Sequence, residues 1–461
     1  MIFVLIFLAV SVILLIGNLA LGILEKKRIQ LAYNIAVLAI LVLLSLAGLA
    51  YGIETTFLNV VSVNPFSLFF IAIFSMGMLL VNLLAYAYSD NYGDFAILSV
   101  FALAGMYMLS MSNSLITVFI GLELASLPSV FIILLSKKSV EAAVKFFIMA
   151  SIAISLLSLA IVLFYGGSGS LTLTNTTHSE MLAFAAVLFI VSLGIDASVF
   201  PFNLLIPDVY EGSPAYVTGM LGGLNKKVAF AALIQILILA FIGYRSVFDL
   251  LAVFSVITMF FGNIVAIMQK NLKRMLAYSS ISQAGYILIG MATAGTAGLM
   301  GSLFQIFAHA FAFIGILGVV AWLESKQMHT IDDLNGLSRK NRFAALAMSL
   351  FMLTFVGLPF TTGFVGKFLI FLGAASAGLA WLAVLGIINS VISIYYYSRP
   401  IMAAYSVENK GMGSNAIRHI KMEKPVVLAI SIAIIITVVF GVYPQPLIAI
   451  AHNAATYLLG A

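Results

Sequence analysis

Glu123, Asp196, Lys226, Lys227 and Lys367 each lie deep inside runs of apolar residues, and the imidazole of His309 lies in another such run. A charge at the centre of a membrane-spanning helix costs about 2.5–3.5 kcal/mol even on lenient insertion scales. Groups kept there therefore face protein or water and carry function. Buried carboxylates and amines exchange protons, and each responds to the charge of its neighbours. Imidazole adds a group that titrates near neutral pH. The chemistry these residue types point to is ion handling.

Their local contexts sharpen the expectation. Lys367 stands in "GLPFTTGFVGKFLIF" (Gly357 to Phe371), eight residues after Pro359 and so about 12 Å of helix beyond it. Pro359 removes a backbone donor, and Gly363 and Gly366 allow close approach, so a break there can admit water near the ammonium. Snorkelling to an interface is the plainer account of such a lysine. Glu123, in "FIGLELASLPSVF", stays ionised only if it faces a lysine; as a structural pair it would merely fix helix packing. Lys226 and Lys227 follow Gly222 and Gly223 and point about 100° apart on a helix. Lys226 is expected to face inward, while Lys227 either joins it or approaches lipid headgroups. Asp196 precedes Pro201 by five residues, where it can accept protons, pair with Lys226, or cap a broken helix. His309 either bridges two halves of the molecule or simply packs. Ser279, Ser280, Ser282 and Gln283 are placed to hold water along the same path, and Lys145 lies near the start of its span.

These groups must be positioned by spanning helices. The chain has 461 residues, is 63% hydrophobic and 8% charged, and reads as an all-α polytopic membrane protein. Fourteen spans are expected, at about 1–23, 31–52, 65–88, 94–111, 114–136, 141–166, 182–206, 213–243, 247–268, 274–294, 298–323, 343–372, 374–397 and 426–450. Residues 1–24 lack a basic leading region and a small-residue cleavage site, so they read as a permanent span. On this arrangement Lys26, Lys27, Arg28, Lys137, Lys138, Lys270, Lys273, Arg274, Lys326, Arg339, Lys340, Arg342, Arg399, Lys410, Arg418, Lys421 and Lys424 share one face, against Arg245 on the other. The positive-inside rule makes the first face cytoplasmic and puts both termini outside. It also explains the net charge of +6 without nucleic acid.

"SVFPF" (Ser198 to Phe202) and "VGLPF" (Val356 to Phe360) echo each other in spans too interrupted to be straight helices. The echo divides the chain into residues 1–92 (three helices), 93–243 and 244–398 (two five-helix repeats), and 399–461 (a cytoplasmic loop and helix 14). Five is odd, so the second repeat is inverted, with discontinuous seventh and twelfth helices as in many transporters. The chain has no cysteine, which excludes disulfides and thiolate-held clusters, and its five histidines show no metal-ligand spacing. No metal and no cofactor are expected in the chain, so any electrons belong to partners.

"PDVYEGSP" (Pro207 to Pro214), "LKRMLAYSSISQAGY" (Leu272 to Tyr286), "GLPFTTGFVGKF" (Gly357 to Phe368), "NSVISIYYYSRPIMAAY" (Asn389 to Tyr405) and "GVYPQP" (Gly441 to Pro446) resemble the antiporter-like subunits of respiratory complex I and its relatives, most closely the subunit-N type. With "AVKFF" around Lys145, the resemblance runs from the fourth span to the end. Related cation/proton antiporter and hydrogenase subunits are similar but usually lack the "VYEG" form.

The resemblance implies fourteen helices, two inverted repeats and a polar axis along the midplane. Glu123 then takes the place of the family's helix-5 glutamate, Lys226 the helix-8 lysine and Lys367 the helix-12 lysine. Asp196 stands where the family usually has a helix-7 lysine, and Asn203 and Val130 replace a histidine and a tyrosine. With that substitution, Glu123 pairs with Lys226 or Lys145 instead, or pumping through the first half is altered or absent.

The implied function is ion translocation, of protons or sodium, in a complex I-like oxidoreductase of the respiratory chain. Other hydrophobic membrane subunits and peripheral redox subunits, which carry the quinone chemistry, would be its partners. The relay would run through Glu123, Asp196, Lys226, His309 and Lys367. The lack of a transit peptide suits the plasma membrane of a bacterium or archaeon. The alternatives are a free-standing cation/proton antiporter, a subunit of a related hydrogenase or antiporter complex, and a structural membrane scaffold.

Overall fold

The computed structural model describes residues 2–174, 176–203, 205–406 and 421–460, so Lys410 and Arg418 lie outside the described residues. It consists largely of helices. The first six are α1 (Ile2–Ile23), α2 (Lys27–Ala50), α3 (Pro65–Tyr88), α4 (Tyr92–Ser110), α5 (Leu115–Leu134) and α6 (Val140–Ser168). Then come α7 (Glu180–Asp196), α8 (Ile206–Gly212), α9 (Ala215–Met220), a π-helical turn at Leu221–Asn225, and α10 (Lys226–Phe241). The rest are α11 (Arg245–Met268), α12 (Leu272–Ala292), α13 (Thr296–Glu324), α14 (Leu337–Lys340), α15 (Arg342–Val356), α16 (Thr362–Ser376), α17 (Ala380–Tyr405), α18 (Lys424–Val442) and α19 (Gln445–Leu459). Strands β1 (Thr55–Phe57) and β2 (Val61–Val63) form a short antiparallel hairpin between α2 and α3. Among the described residues, ten helical segments are long and apolar enough to cross a membrane.

Local chemistry sets the helix starts. Asn64 accepts from the Ser67 amide at 2.9 Å while Ser67 bonds back to the Asn64 amide, and Pro65 opens α3. Asn271 and Asn341 cap α12 and α15 through the amides of Arg274 and Ala344. Packing sets the layers. α13 is almost wholly enclosed and runs through the centre, with α3, α12, α16, α18 and the α9–α10 segment packed around it. α6 and α17 show one side outward, carrying Val144, Ile148, Ile152, Val384, Ile388 and Val391. Those side chains gain nothing by leaving hydrocarbon, so van der Waals packing and buried polar contacts hold the bundle together.

Every expected span contains helix, with differences in detail. The seventh is broken after Asp196, with Ser198 at φ 58° and a cis Phe200–Pro201 bond. The eighth is interrupted by the π turn. The twelfth is broken between Val356 and Thr362, at Gly357 and Pro359. The fourteenth, expected as one run over 426–450, is two helices, because Tyr443 leaves the helical region and Pro444 cannot continue the ladder of α18. α17 continues to Tyr405, past the expected end at 397, and accommodates Pro400. The β1–β2 hairpin was not expected.

Candidate functional site

The break in the twelfth span builds a seat for Lys367. Gly357, at φ 91°, ends α15 in the left-handed conformation, and its amide and that of Leu358 turn back onto Leu353 and Thr354. The last carbonyls of α15 are thereby left facing the interior. Lys367 lies on α16 and is 4% exposed. Its Nζ donates to the carbonyls of Phe355 (2.8 Å) and Val356 (3.0 Å) and to Ser390 Oγ (3.3 Å). The same nitrogen sits 4.3 Å from the centroid of the Tyr286 ring. All three ammonium donors are thus satisfied at the negative end of a helix. Charged hydrogen bonds contribute about 1.5–3 kcal/mol each, which offsets the cost of holding the charge there. A Cβ at Gly363 would collide with the Thr354 carbonyl oxygen, so glycine is what lets α16 approach α15.

From Lys367 the polar line continues onto α12. Gln283 Nε2 donates to the same Phe355 carbonyl (3.0 Å) and contacts Tyr397 OH (3.3 Å), which bonds Ser279 Oγ. Gln305 donates to Gln283 Oε1 at 2.9 Å. Next along α12, Ser280 receives Lys226, whose Nζ donates to the Ser280 carbonyl (2.7 Å) and Oγ (3.1 Å). Ser282 Oγ accepts from Asn389, which with Ser390 contacts Tyr286 OH. The serines and glutamine flagged on α12 are therefore the joints of this line.

In the first half, Asp196 and Lys226 line one cavity of about 20 Å³, together with Ser126, Tyr210 and Asn225. That is room for roughly one water molecule. Asp196 is the last residue of α7, so it does not cap a helix start. Glu123, on α5, is half-buried and lies close enough to Asp196 for the two charges to interact. Among the described residues Glu123 makes no ion pair, which corrects its expected pairing with Lys226 or Lys145. Lys145 is taken by Glu141, one turn away (2.7 Å), and by Asp208 (2.9 Å). Lys227 is buried rather than directed to headgroups. His309 is 1% exposed and stacks on Phe313, and neither ring nitrogen has a hydrogen-bond partner among the described residues.

A second charged group lies where α6, α8 and α12 meet. Arg274 pairs with Asp208 (2.7 Å) and Glu211 (2.9 Å), and Lys273 pairs with Glu324 on α13. The Lys145 hydrogen bond, supported by Arg274, holds the Asp208 carboxyl below the usual carboxylate range. Among the described residues no group of three His, Asp or Glu side chains is placed to hold a metal ion.

Comparison with known proteins places this arrangement. The sequence profile described as "NADH:quinone oxidoreductase/Mrp antiporter, TM" matches residues 112–393. NADH-quinone oxidoreductase subunit N of Heliobacterium modesticaldum is 34% identical over 461 residues, covering 96% of each chain. The chain belongs to this family. F(420)H(2) dehydrogenase subunit N of Methanosarcina mazei is 32% identical, covering 88% of this chain and 86% of its own. A chain of respiratory complex I from Thermus thermophilus, solved with bound aureothin, superposes with a TM-score of 0.82. It is 27% identical and covers 96% of this chain and 98% of that one.

Several residues of this antiporter-family chain were missed as site residues: Tyr286, Gln305, Asn389, Ser390 and Tyr397. A signal was present for α17. Gly386, Asn389, Ser393, Tyr396 and Pro400 recur every three or four residues, and all are buried on one face. The motif that holds most of them carries this polar periodicity in addition to the resemblance. Gln305 carried no comparable signal, because one amide in an apolar helix is indistinguishable from a packing residue.

Proposed function

We propose that this chain is an ion-translocating, antiporter-like subunit of a complex I-like oxidoreductase, in which partner subunits carry out the electron transfer. Relatives matched over nearly the whole chain are named as N subunits of dehydrogenase complexes, which favours an assembled complex over a free-standing antiporter. Their names carry different electron donors, so the donor is set elsewhere in the complex. The subunit would hold no redox centre or cofactor of its own, and its catalysis would be that of the complex. In this reading the chain forms fourteen spans with residues 93–243 and 244–398 as inverted repeats. The arginine- and lysine-rich face is cytoplasmic, and both termini lie outside.

The observation that carries the proposal is the polar line across an otherwise apolar interior. It runs from the Asp196 cavity through Lys226 and the α12 side chains to the three-acceptor seat of Lys367. Charge arriving at Glu123 and Asp196 biases Lys226, Lys226 biases the centre at His309, and the centre biases Lys367. Lys367 leaves its seat only when its ammonium is neutralised or finds other acceptors. Release there is therefore coupled to charge elsewhere on the line.

The test is ion translocation by vesicles holding the whole complex with Lys367→Ala, normalised to electron-transfer rate and complex abundance. The expected result is loss of most pumping with assembly retained. Wild-type pumping would reject Lys367 as a carrier. Failed assembly with normal pumping in the complexes that do form would favour a scaffold role.

A further inference from the structure

The hydrogen-bonded line has a gap at its centre. Lys226 bonds only Ser280, and neither Lys226 nor the α12 chain touches His309 through a hydrogen bond among the described residues. Lys227 occupies that gap. The π turn Leu221–Asn225 lies directly against α13, where a Cβ at Gly222 would overlap Phe313 and one at Gly223 would overlap Ile314 and press on the Ala310 carbonyl. These absent side chains bring the two backbones together next to His309. Lys227 lies four residues beyond Gly223 and so shares its face. Lys226, about 100° around the helix, faces α12 instead.

Lys227 is 1% exposed, and among the described residues it has no hydrogen bond or ion pair; its Nζ lies over the Phe230 ring, 5.9 Å from the centroid. A lysine serving only to hold helices together would be expected to donate to carbonyls, as Lys367 and Lys226 do. The charged groups facing His309 are Lys227 first and then Lys226, and the one facing Lys227 on its own helix is Lys226. Two ionisable side chains lacking hydrogen-bond partners among the described residues thus lie within electrostatic range of each other where the π turn packs on α13. The interior also holds two carboxyls, Glu123 and Asp196, against the two adjacent lysines.

We propose that Lys227 is a further ionisable member of the midplane line, coupling Lys226 to His309 by charge and so joining the two halves. Protonation of Lys226 disfavours the protonated form of Lys227, and Lys227 in turn disfavours or permits charge on His309. The proposal rests on the ion-translocation reading above.

The experiment measures pumping per electron, and its pH profile, in vesicles of the intact complex carrying Lys227→Gln, Lys227→Arg, His309→Gln and, separately, Lys367→Ala. Lys227→Gln is expected to lose most of the pumping and to change the shape of the pH profile. Lys227→Arg is expected to fail to restore it, because a guanidinium keeps its charge. His309→Gln should likewise lose most of the pumping, since it interrupts the same link. Full pumping in Lys227→Arg, or a loss in Lys227→Gln with an unchanged pH profile, would overturn the proposal in favour of a fixed or structural cation. Failure of both the Lys227→Gln and His309→Gln complexes to assemble would also assign a structural role and overturn it. If Lys367→Ala pumps normally, the ion-translocation reading itself fails. If Lys367→Ala loses pumping while the Lys227 variants keep it, only the role of Lys227 falls.

Discussion

At the scale of single residues, what separates a carrier from a fixed charge is the set of acceptors around it. Lys367 fills all three donors, two of them on carbonyls released by a helix end, so its site is built to hold an ammonium. Asp196 has the opposite surroundings: it is the last residue of α7, lies within electrostatic range of Glu123, and opens on a small cavity shared with Lys226. If Asp196 carries protons, Asp196→Asn, which keeps the shape but cannot ionise, should lower pumping per electron without loss of assembly. Wild-type pumping in that variant would remove Asp196 from the line. Both residues were legible in the sequence as charges inside apolar runs. Their partners were not, because a backbone carbonyl has no letter in the sequence, and the acceptors of Lys367 exist only because α15 stops at Gly357.

At the scale of elements, the breaks position the chemistry, and the one at Gly357 can be tested against a control. Gly357 and Gly378 both have φ above +80° or at it, but a Cβ at Gly378 meets nothing within 4 Å, whereas one at Gly357 comes 3.1 Å from Lys367 Cδ. Alanine in the left-handed region costs about 1–2 kcal/mol at either position. Gly378→Ala should therefore lower thermal stability and leave pumping intact. Gly357→Ala should lower both, because it also displaces the lysine from its carbonyls. Equal pumping in the two variants would show that the break matters for backbone geometry alone. Proline and glycine patterns made the breaks at Pro201 and Pro359 readable in advance. Pro444 likewise carried the signal for the division of the last span into α18 and α19, but the π turn before Lys226 has no comparable mark in the sequence.

At the scale of the whole molecule, the two proposed repeats are tied at the face rich in basic residues by the chain of ion pairs Glu141–Lys145–Asp208–Arg274–Glu211. The sequence presented Lys273 and Arg274 as markers of topology and "PDVYEGSP" as a motif of resemblance. Only the packing of α6, α8 and α12 reveals that the two stretches neutralise each other. Lys145, with Arg274 behind it, holds Asp208 below an ordinary carboxylate, so the folded form binds its proton less readily than the unfolded chain. The stability this contributes is fully present above the unfolded value of about 4 and is lost as pH falls through the lower folded value. Asp208 is 32% exposed. At that exposure solvent screening limits the contribution to about 1 kcal/mol or less. Asp208→Asn should therefore melt below the wild-type complex at neutral pH, and the difference should shrink as the pH is lowered from about 5 towards 3. A difference that stays constant across that window would mean that Asp208 holds the two halves by hydrogen bonding alone and that its charge contributes nothing to their docking.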